Sequence, residues 1–324
     1  MIDPRSDVAV DAHTMMDLRR IAKKLFYISV SPVAVIVLFS ILAHEKFLSA
    51  RNLFVVFQQS IAPCFSVWGI CFVMIMGSYD MTPGVTIIMA SMIGTVLSMK
   101  FGYVGLIVGG VLAGVVIGVI NGIVFTRLRI PSVISTVGLV MVYEVVASLV
   151  SKGKGLYLPD QYGELSHFPY NTIFFVVGFF IAYLLYSNTK IGLHIQATGH
   201  SEKISKDIGI NIPRTKFIAF ILCAVFGSLG GVLYQSYGRF VQPQIGLTSL
   251  VLIFPPLCGF FFALALSKWV NLIVAVVVGE LTINLLLNGL IIVGFTTPLQ
   301  QIALGVVLIS VVAIGSINKE GIVK

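Results

Sequence analysis

The sequence predicts an all-α, polytopic membrane protein. Of its 324 residues, 57% are hydrophobic and 10% are charged, and the mean hydropathy is +1.01. A soluble globular domain carries about a quarter charged residues, so that class is excluded. Because a spanning helix needs about 20 mainly apolar residues, the chain is long enough for ten spans and their loops.

Ten apolar runs define the predicted spans, and they follow one another along the whole chain. They cover residues 26–43, 53–76, 83–100, 103–126, 130–150, 171–187, 216–236, 247–267, 270–287 and 298–316. The prediction is a polar N-terminal segment (1–25), a single transmembrane domain (26–316) and a short tail (317–324). No small-residue cleavage site follows the basic residues at 19–24, so the first run is interpreted as an uncleaved span.

The distribution of basic residues predicts the orientation. With the N-terminus inside, 15 of the 21 Lys and Arg residues face the cytoplasm, five of them in the segment 188–216. This excess follows the positive-inside rule and places both termini in the cytoplasm. It also accounts for most of the net charge of +8, so no nucleic-acid partner is expected.

The sequence contains none of the common motifs of enzymes or metal sites. Its four cysteines lie in apolar runs without CxxC spacing, so no metal is expected and they are interpreted as packing residues. A P-loop, an HExxH motif and a GxSxG nucleophile elbow are all missing from the sequence. The chain is therefore predicted to be neither an enzyme nor a cofactor protein, and any ATP hydrolysis is expected in a separate subunit.

An internal repeat relates the two halves of the chain. Asn121-Gly122 in the fourth run is followed by Pro131 and Gly138, and Asn288-Gly289 in the ninth run is followed by Pro298 and Gly305 at the same offsets. These two runs cross in opposite directions in the predicted topology. Spans 2–5 and 7–10 are therefore predicted to form an inverted repeat, an arrangement common in transporters, although chance similarity is the alternative.

Asp80, Glu144 and Glu280 are the acids within or beside the runs. A charge at the centre of a membrane helix costs at least about 2.5 kcal/mol unless it faces protein or water. Together with Thr82, Asn121 and Asn288, these acids are the predicted residues of a solute pathway or gate. For the two glutamates the alternative is a protonated or water-facing acid without a transport role.

The segment around Asp80 is predicted to be non-helical. Two glycines and a proline interrupt the apolar sequence at 77–84, and such a break suits backbone that lines a cavity. The alternative is local: Asp80 or Thr82 would accept backbone amides ahead of a helix that begins at Pro83. Both interpretations can hold together.

The polar segment 188–216 is predicted to carry a short helix. Ser201 can cap it, Glu202 suits its first turn, and Gly209 can end it. Ile204 and Ile208 lie one turn apart and form an apolar pair on a helix in water, which favours docking into a groove. The groove belongs either to a partner or to the chain's own bundle. The predicted docking residues are Ser201, Glu202, Ile204, Ser205, Ile208 and Gly209.

Several segments resemble the permease subunits of bacterial ATP-driven importers for simple sugars, of the ribose, galactose and autoinducer-2 type. Residues 78–84 are similar to that family's Gly-Ile-Asp-Leu-Ser-Val-Gly, with Asp80, Thr82 and Gly84 matching best. Residues 120–122 and 130–138 resemble its Asn-Gly and Pro-Phe-Ile-x-Thr-Leu-Gly segments. The run from 189 to 210 is similar to its cytoplasmic segment. The resemblance extends over most of the chain from about residue 50 onward.

The chain also departs from the family pattern. It has Ser249-Leu250-Val251-Leu252 where the family has Glu-Leu-Asp-Ala, and the Gly-Gly-rich segment that should follow is mostly absent. Glu144-Val145 stands where many members have Arg-Gly. These departures suggest a divergent member that pairs with a different, more typical permease subunit.

The resemblance implies that this chain forms half of a translocation pathway for a small polar solute in a bacterial inner membrane. It implies three kinds of partner: an ATP-binding cassette subunit, a second permease subunit and an extracytoplasmic solute-binding protein. The helix at 201–208 would then be a coupling helix that contacts the ATPase. Two alternatives remain at this point: an ion-coupled secondary transporter, and a structural partner of a permease that carries out the transport.

Overall fold

The computed structural model describes residues 29–43, 46–128 and 130–317. The predicted N-terminal segment 1–25 and residues 318–324 of the tail lie outside this part. Helices dominate it, and the one sheet that it contains is a pair of two-residue strands, β1 (Leu156–Tyr157) and β2 (Phe240–Val241), which pair antiparallel. The predicted all-α class is confirmed.

The α-helices follow the apolar runs closely. They are α1 (Ser29–Ala43), α2 (Ala50–Met74), α3 (Pro83–Leu128), α4 (Ser132–Val150), α5 (Tyr170–Ser187), α6 (Lys190–His200), α7 (Glu202–Asp207), α8 (Ile212–Gly238), α9 (Phe254–Leu266), α10 (Leu272–Val293) and α11 (Thr297–Ile317). Two 3₁₀ helices lie at Asp160–Ser166 and Thr248–Ile253.

The helices confirm a multi-pass membrane protein. In the described part, seven helical segments are long and apolar enough to cross a membrane, counting the 3₁₀ turn and α9 together. Each of the ten predicted runs contains a helix, while the count of ten spans stays a prediction. Two boundaries differ from the predicted runs by more than four residues. α9 begins at Phe254 rather than near 247, because Pro255 and Pro256 suit a first turn, where no N–H is needed. α10 continues past 287 to Val293.

α3 is a hairpin of two antiparallel arms, 83–101 and 103–128. Gly102 has φ 64° and ψ −146°, a conformation that glycine adopts without strain, and the chain reverses there. The arms approach closely at glycines: a Cβ on Gly94 would lie 2.7 Å from the carbonyl oxygen of Leu106, and one on Gly105 would lie 2.3 Å from that of Leu97. Gly94 and Gly105 therefore serve contacts within the chain.

α8 lies at the centre of the bundle, between α2 and the α3 hairpin. A Cβ on Gly118 would lie 2.6 Å from the Cα of Ile221, and one on Gly69 of α2 would lie 2.5 Å from the carbonyl oxygen of Cys223. Such close backbone approach is typical of membrane helices that pack through small residues. α8 therefore holds the two halves of the chain together.

The second half repeats this pattern of packing. α9 and α10 lie antiparallel, with Gly259 against Gly279, and α10 packs on α2 much as α3 packs on α8. α11 packs on α9, and α4 packs on α3. α1 does not belong to either half of the predicted repeat, and it packs on α10, with the ring of Phe39 over Gly289. The pattern supports the inverted repeat, which stays a prediction.

The loops gather at two opposite ends of the bundle. At one end, Arg239 forms an ion pair with Asp160, and the Tyr103 hydroxyl donates to the carbonyl oxygen of Gln161. At the other end, Lys216 pairs with Glu202 and lies over the ring of Phe125. The polar segment 188–211 and the end of α3 therefore share one end of the molecule.

Candidate functional site

Two segments without α-helix interrupt the bundle. We call residues 75–82, between α2 and α3, the first break. We call residues 242–253, between β2 and α9, the second break. The second break touches the first turn of α3, directly after the first break: a Cβ on Gly84 would lie 2.2 Å from the carbonyl oxygen of Ser249. Position 84 therefore has no room for a side chain while this contact is kept.

The first break is held on α4 by alternate backbone amides. The amide of Tyr79 donates to Ser132 Oγ (2.9 Å), and that of Met81 donates to Thr136 Oγ1 (3.2 Å). Two residues of extended chain span about 6.6 Å, and one helical turn rises about 5.4 Å, so alternate amides match hydroxyls one turn apart. Non-helical backbone inside a membrane protein needs such partners.

A buried chain of hydrogen bonds runs from the first break to α4. The amide and the hydroxyl of Thr82 both donate to Asp80 Oδ1, at 2.9 and 2.7 Å. Asn121 Nδ2 donates to Thr82 Oγ1 (2.7 Å), and Asn121 Oδ1 accepts from the hydroxyl of Tyr143 (2.8 Å). Each of these four side chains is at most 5% exposed. Three of the four were predicted from the sequence.

Asp80 combines a local structural role with an unused acceptor. It accepts the amide of Thr82 directly ahead of α3, which begins at Pro83 as predicted. Its other carboxylate oxygen, Oδ2, has no hydrogen-bond partner among the described residues and lies near Cys223. The carboxylate therefore orders the break.

Glu144 binds the second break from across the molecule. Its two carboxylate oxygens accept the amides of Leu247 (2.8 Å) and Ser249 (2.9 Å). Leu247 has φ 67° and follows Gly246 at φ 74°, so the chain turns sharply here. A buried carboxylate that accepts two backbone N–H groups is well compensated for the loss of water. Glu144 therefore acts as a remote cap for the 3₁₀ turn that leads to α9.

Two adjoining cavities lie along the second break. The larger, about 580 Å³, is enclosed mainly by α2, α9, α10 and α11, and the smaller, about 420 Å³, lies against residues 240–252. Tyr234, Val251 and Leu252 line both. The larger cavity is mostly apolar, with amide groups from Asn284, Gln300 and Gln301. The polar side chains of the smaller cavity include Gln242, Gln244 and Thr248.

The six predicted pathway residues do not line these cavities. All six lie in the described part, and none of them belongs to either wall. Asn284, one turn beyond Glu280, does line the larger cavity and donates both to the carbonyl oxygen and to the carboxylate of Glu280. The predicted residues therefore lie behind the walls rather than at their surface.

Glu280 and Asn288 lie apart from the two breaks. Glu280 is fully buried between α9 and α10, and its Oε1 atom has no hydrogen-bond partner among the described residues. Asn288 accepts a hydrogen bond from Asn52 Nδ2 (2.9 Å) near the start of α2. Asn121 bonds to a break and Asn288 does not, so the two predicted equivalents have different partners.

The short helix α7 forms at the predicted place. Ser201 Oγ accepts the amide of Ile204 as the cap, and Gly209 follows the helix with φ 87°. Ile204 and Ile208 are 62% and 68% exposed, so the described part of the chain does not cover them. Ser205 is buried. α7 therefore presents an apolar pair to the surroundings at the end that carries the segment 188–211.

Sequence reasoning missed Tyr143 and the residues of the cavity walls. A tyrosine within an apolar run gives no sign of its partner, because the pairing with Asn121 depends on how α4 crosses α3. The amide side chains at 284, 300 and 301 could have been found as polar positions inside apolar runs.

Comparison with known proteins identifies the family. The family model described as branched-chain amino acid transport system / permease component matches residues 53–312. The ribose import permease protein RbsC of Escherichia coli K12 is 22% identical over 298 residues, 88% of this chain and 92% of that protein. RbsC of Bacillus subtilis is 27% identical over 285 residues, 85% of this chain and 87% of that protein.

A third relative is the autoinducer 2 import system permease protein LsrC of Yersinia pseudotuberculosis. It is 24% identical over 224 residues, 66% of this chain and 64% of that protein. No solved structure matches the chain. The family match covers well over half of the chain, the fold is that of a multi-pass membrane protein, and the chain belongs to the family of permease components of the branched-chain amino acid transport system type.

Proposed function

We propose that this chain is the permease subunit of an ATP-driven importer and forms half of the pathway for a small, uncharged polar solute, with a sugar as the first candidate. Family membership supports the permease role, and the relatives are named for the import of ribose and of autoinducer 2. Under this proposal the chain has no catalytic residue, and ATP is hydrolysed by a separate cassette subunit.

The walls of the two cavities carry the proposal of a neutral solute. Within the described residues, no acidic or basic side chain lines either cavity, and the polar groups present are amides and hydroxyls. Amide and hydroxyl groups can orient an uncharged polyol or ring without an opposite charge. The second break would form the wall along which the solute moves, with Glu144 holding that wall in place.

The exposed isoleucines of α7 support a protein partner at the end that carries segment 188–211. A partner groove would remove two large apolar side chains from water. Basic residues at this end, including Lys190, Lys206 and Arg214, fit a cytoplasmic location under the positive-inside rule. We therefore place the ATPase there, both termini in the cytoplasm, and the chain in a bacterial inner membrane. A second permease subunit, identical or not, and an extracytoplasmic binding protein complete the complex.

Reconstitution tests this proposal directly. The chain is co-expressed with candidate ATPase, permease and binding-protein subunits. The purified complex is placed in proteoliposomes with ATP inside the vesicles and the binding protein outside. We expect uptake of radiolabelled D-ribose or autoinducer 2 that needs ATP and all subunits. Uptake that proceeds unchanged when this chain is omitted would instead assign it the role of a structural partner.

An ion-coupled transporter is a second candidate because of two buried acids. Asp80 and Glu280 each carry one carboxylate oxygen without a hydrogen-bond partner among the described residues. Intramembrane acids of this kind carry protons or sodium ions in secondary transporters. Such a protein would need no ATPase, so uptake that follows an imposed ion gradient in the absence of ATP would favour it.

A further inference from the structure

Two neighbouring residues of α4 are linked to different breaks, one through other side chains and one directly. Tyr143 reaches the first break through Asn121 and Thr82, and Glu144 accepts two amides of the second break. Side chains of consecutive helix residues point about 100° apart, so one helix can face two partners at the same level. α4 thus lies between the two breaks with a polar contact to each.

The contact with the first break is extensive. Ser132, Thr136 and Tyr143 lie at helical spacing on one face of α4, and each is hydrogen-bonded to the first break or to a side chain that is. Buried Val140 and Ala147 continue the same face against the first arm of α3. A displacement of α4 would therefore carry the first break with it.

The contact with the second break is concentrated in one carboxylate. Both oxygens of Glu144 are used, one for Leu247 and one for Ser249, and the side chain is 2% exposed. Val251 and Leu252, which follow directly, line both cavities. The position of the cavity wall therefore depends on Glu144.

We propose that Tyr143 and Glu144 form a positioning pair that makes the two breaks move together, so that a shift of the first break is transmitted to the cavity wall. Direct contact between Gly84, which directly follows the first break in α3, and Ser249 of the second break complements the pair, because neither segment can move far towards the other without a clash. This inference rests on the proposed function, since it assigns the pair a part in the conformational cycle of that transporter.

The test reads the position of each break separately by cysteine labelling. Thr248→Cys reports the second break and Tyr79→Cys reports the first, since both positions are exposed. The four native cysteines are buried, and Cys258, which lines the larger cavity, is replaced by Ser in every protein. Labelling rates with a methanethiosulfonate reagent are measured in the reconstituted complex, without nucleotide and after trapping with ATP and vanadate.

Isosteric variants then remove one hydrogen bond on each side of the positioning pair. Glu144→Gln keeps one acceptor and turns an amide donor towards a backbone N–H, and Tyr143→Phe removes one hydroxyl. We expect Tyr143→Phe to reduce the nucleotide response at position 248 roughly tenfold, and Glu144→Gln to reduce the response at position 79 to a similar extent, in the range found for coupled networks. Tyr186→Phe is the matched control, because Tyr186 is a buried tyrosine on α5. It should alter the nucleotide response at neither 79 nor 248.

The outcomes separate the inference from the function beneath it. If each variant changes labelling only at the break that it touches, the pair does not couple the breaks and the inference is overturned. If the parent complex shows no nucleotide response at either position, the ATP-driven function fails, and the inference fails with it.

A second measurement leaves Tyr143 and Glu144 intact, in case a variant is not inserted. Tyr79→Cys and Ser132→Cys replace residues whose backbone amide and hydroxyl lie 2.9 Å apart, so oxidation can lock the first break to α4. Because the proposal has the first break and α4 move as one unit, it expects the nucleotide response of a cysteine at 248 to persist in the locked protein. Loss of that response on oxidation, with recovery on reduction, would contradict the proposal.

Discussion

Glu280 of α10 lies directly against Gly259 of α9. A Cβ at position 259 would lie 1.9 Å from Glu280 Oε1 and 2.7 Å from its carboxyl carbon, so the two helices can pack only if residue 259 has no side chain. The carboxyl group is fully buried, which limits its freedom to move aside. The helix pair α9–α10 is therefore built around this one contact.

Gly259→Ala should destabilise the protein through overpacking. An added methyl group in a well-packed interior costs about 1–3 kcal/mol. Thermal unfolding of the purified protein in detergent measures the loss. Gly138→Ala on α4 is the control, because a Cβ there would meet no atom within 4 Å. The clash should disappear when residue 280 is alanine. If Gly259→Ala lowers the stability of the Glu280→Ala protein as much as it lowers that of the parent protein, this contact is not the cause.

The positions of the helices could be predicted because apolar runs of about 20 residues are typical of membrane-spanning helices. The first break could also be predicted, since two glycines and a proline within 77–84 cannot continue a helix comfortably. Similarly, Ser201 and Gly209 mark the ends of α7 by ordinary capping chemistry. These features depend on residues that are close together in the sequence.

The second break and its partner could not be predicted in the same way. Residues 247–253 are apolar and read as part of a span, whereas in the structure the turn is held by Glu144, about a hundred residues earlier in the chain. A sequence pattern identifies an intramembrane glutamate as costly but does not reveal whether it faces solute, an ion or backbone amides. Packing between distant helices decides that question.

Ile204→Asp with Ile208→Asp should uncouple ATP hydrolysis from transport. Both side chains are exposed and contribute little to the bundle, so the variant should insert normally, whereas two carboxylates in an apolar groove would prevent docking. Solute-stimulated ATP hydrolysis and co-purification of the ATPase are measured. Lys203→Asp, at an exposed position of the same helix outside the apolar pair, makes the same two-unit change in charge and is the control. Normal coupling in the double variant would refute the docking role of α7.

Asp80→Asn separates the two modes of energy supply. Asparagine retains the oxygen that accepts from the amide and hydroxyl of Thr82, and its nitrogen would replace the oxygen that has no partner. In an ATP-driven permease much of the uptake should therefore remain, while Asp80→Ala should lose most of it. Uptake is measured in cells with and without a protonophore. Complete loss with Asn, together with uptake that follows a proton or sodium gradient, would favour the ion-coupled transporter.

Asn121→Ala and Asn288→Ala test whether the repeat extends to function. Asn121 joins Thr82 to Tyr143 in the buried chain, whereas Asn288 accepts one hydrogen bond from Asn52, which also donates to the carbonyl oxygen of Phe47. Polar contacts between membrane helices average about 0.6 kcal/mol, so both variants should be inserted normally. We expect both to impair ATP-dependent uptake, and Asn121→Ala to impair it more, because its loss removes the link between Thr82 of the first break and Tyr143 of α4. Equal and severe defects would show instead that the two asparagines have matching roles, as a strict functional repeat requires. They would also show that the contact with the first break is not what makes Asn121 important.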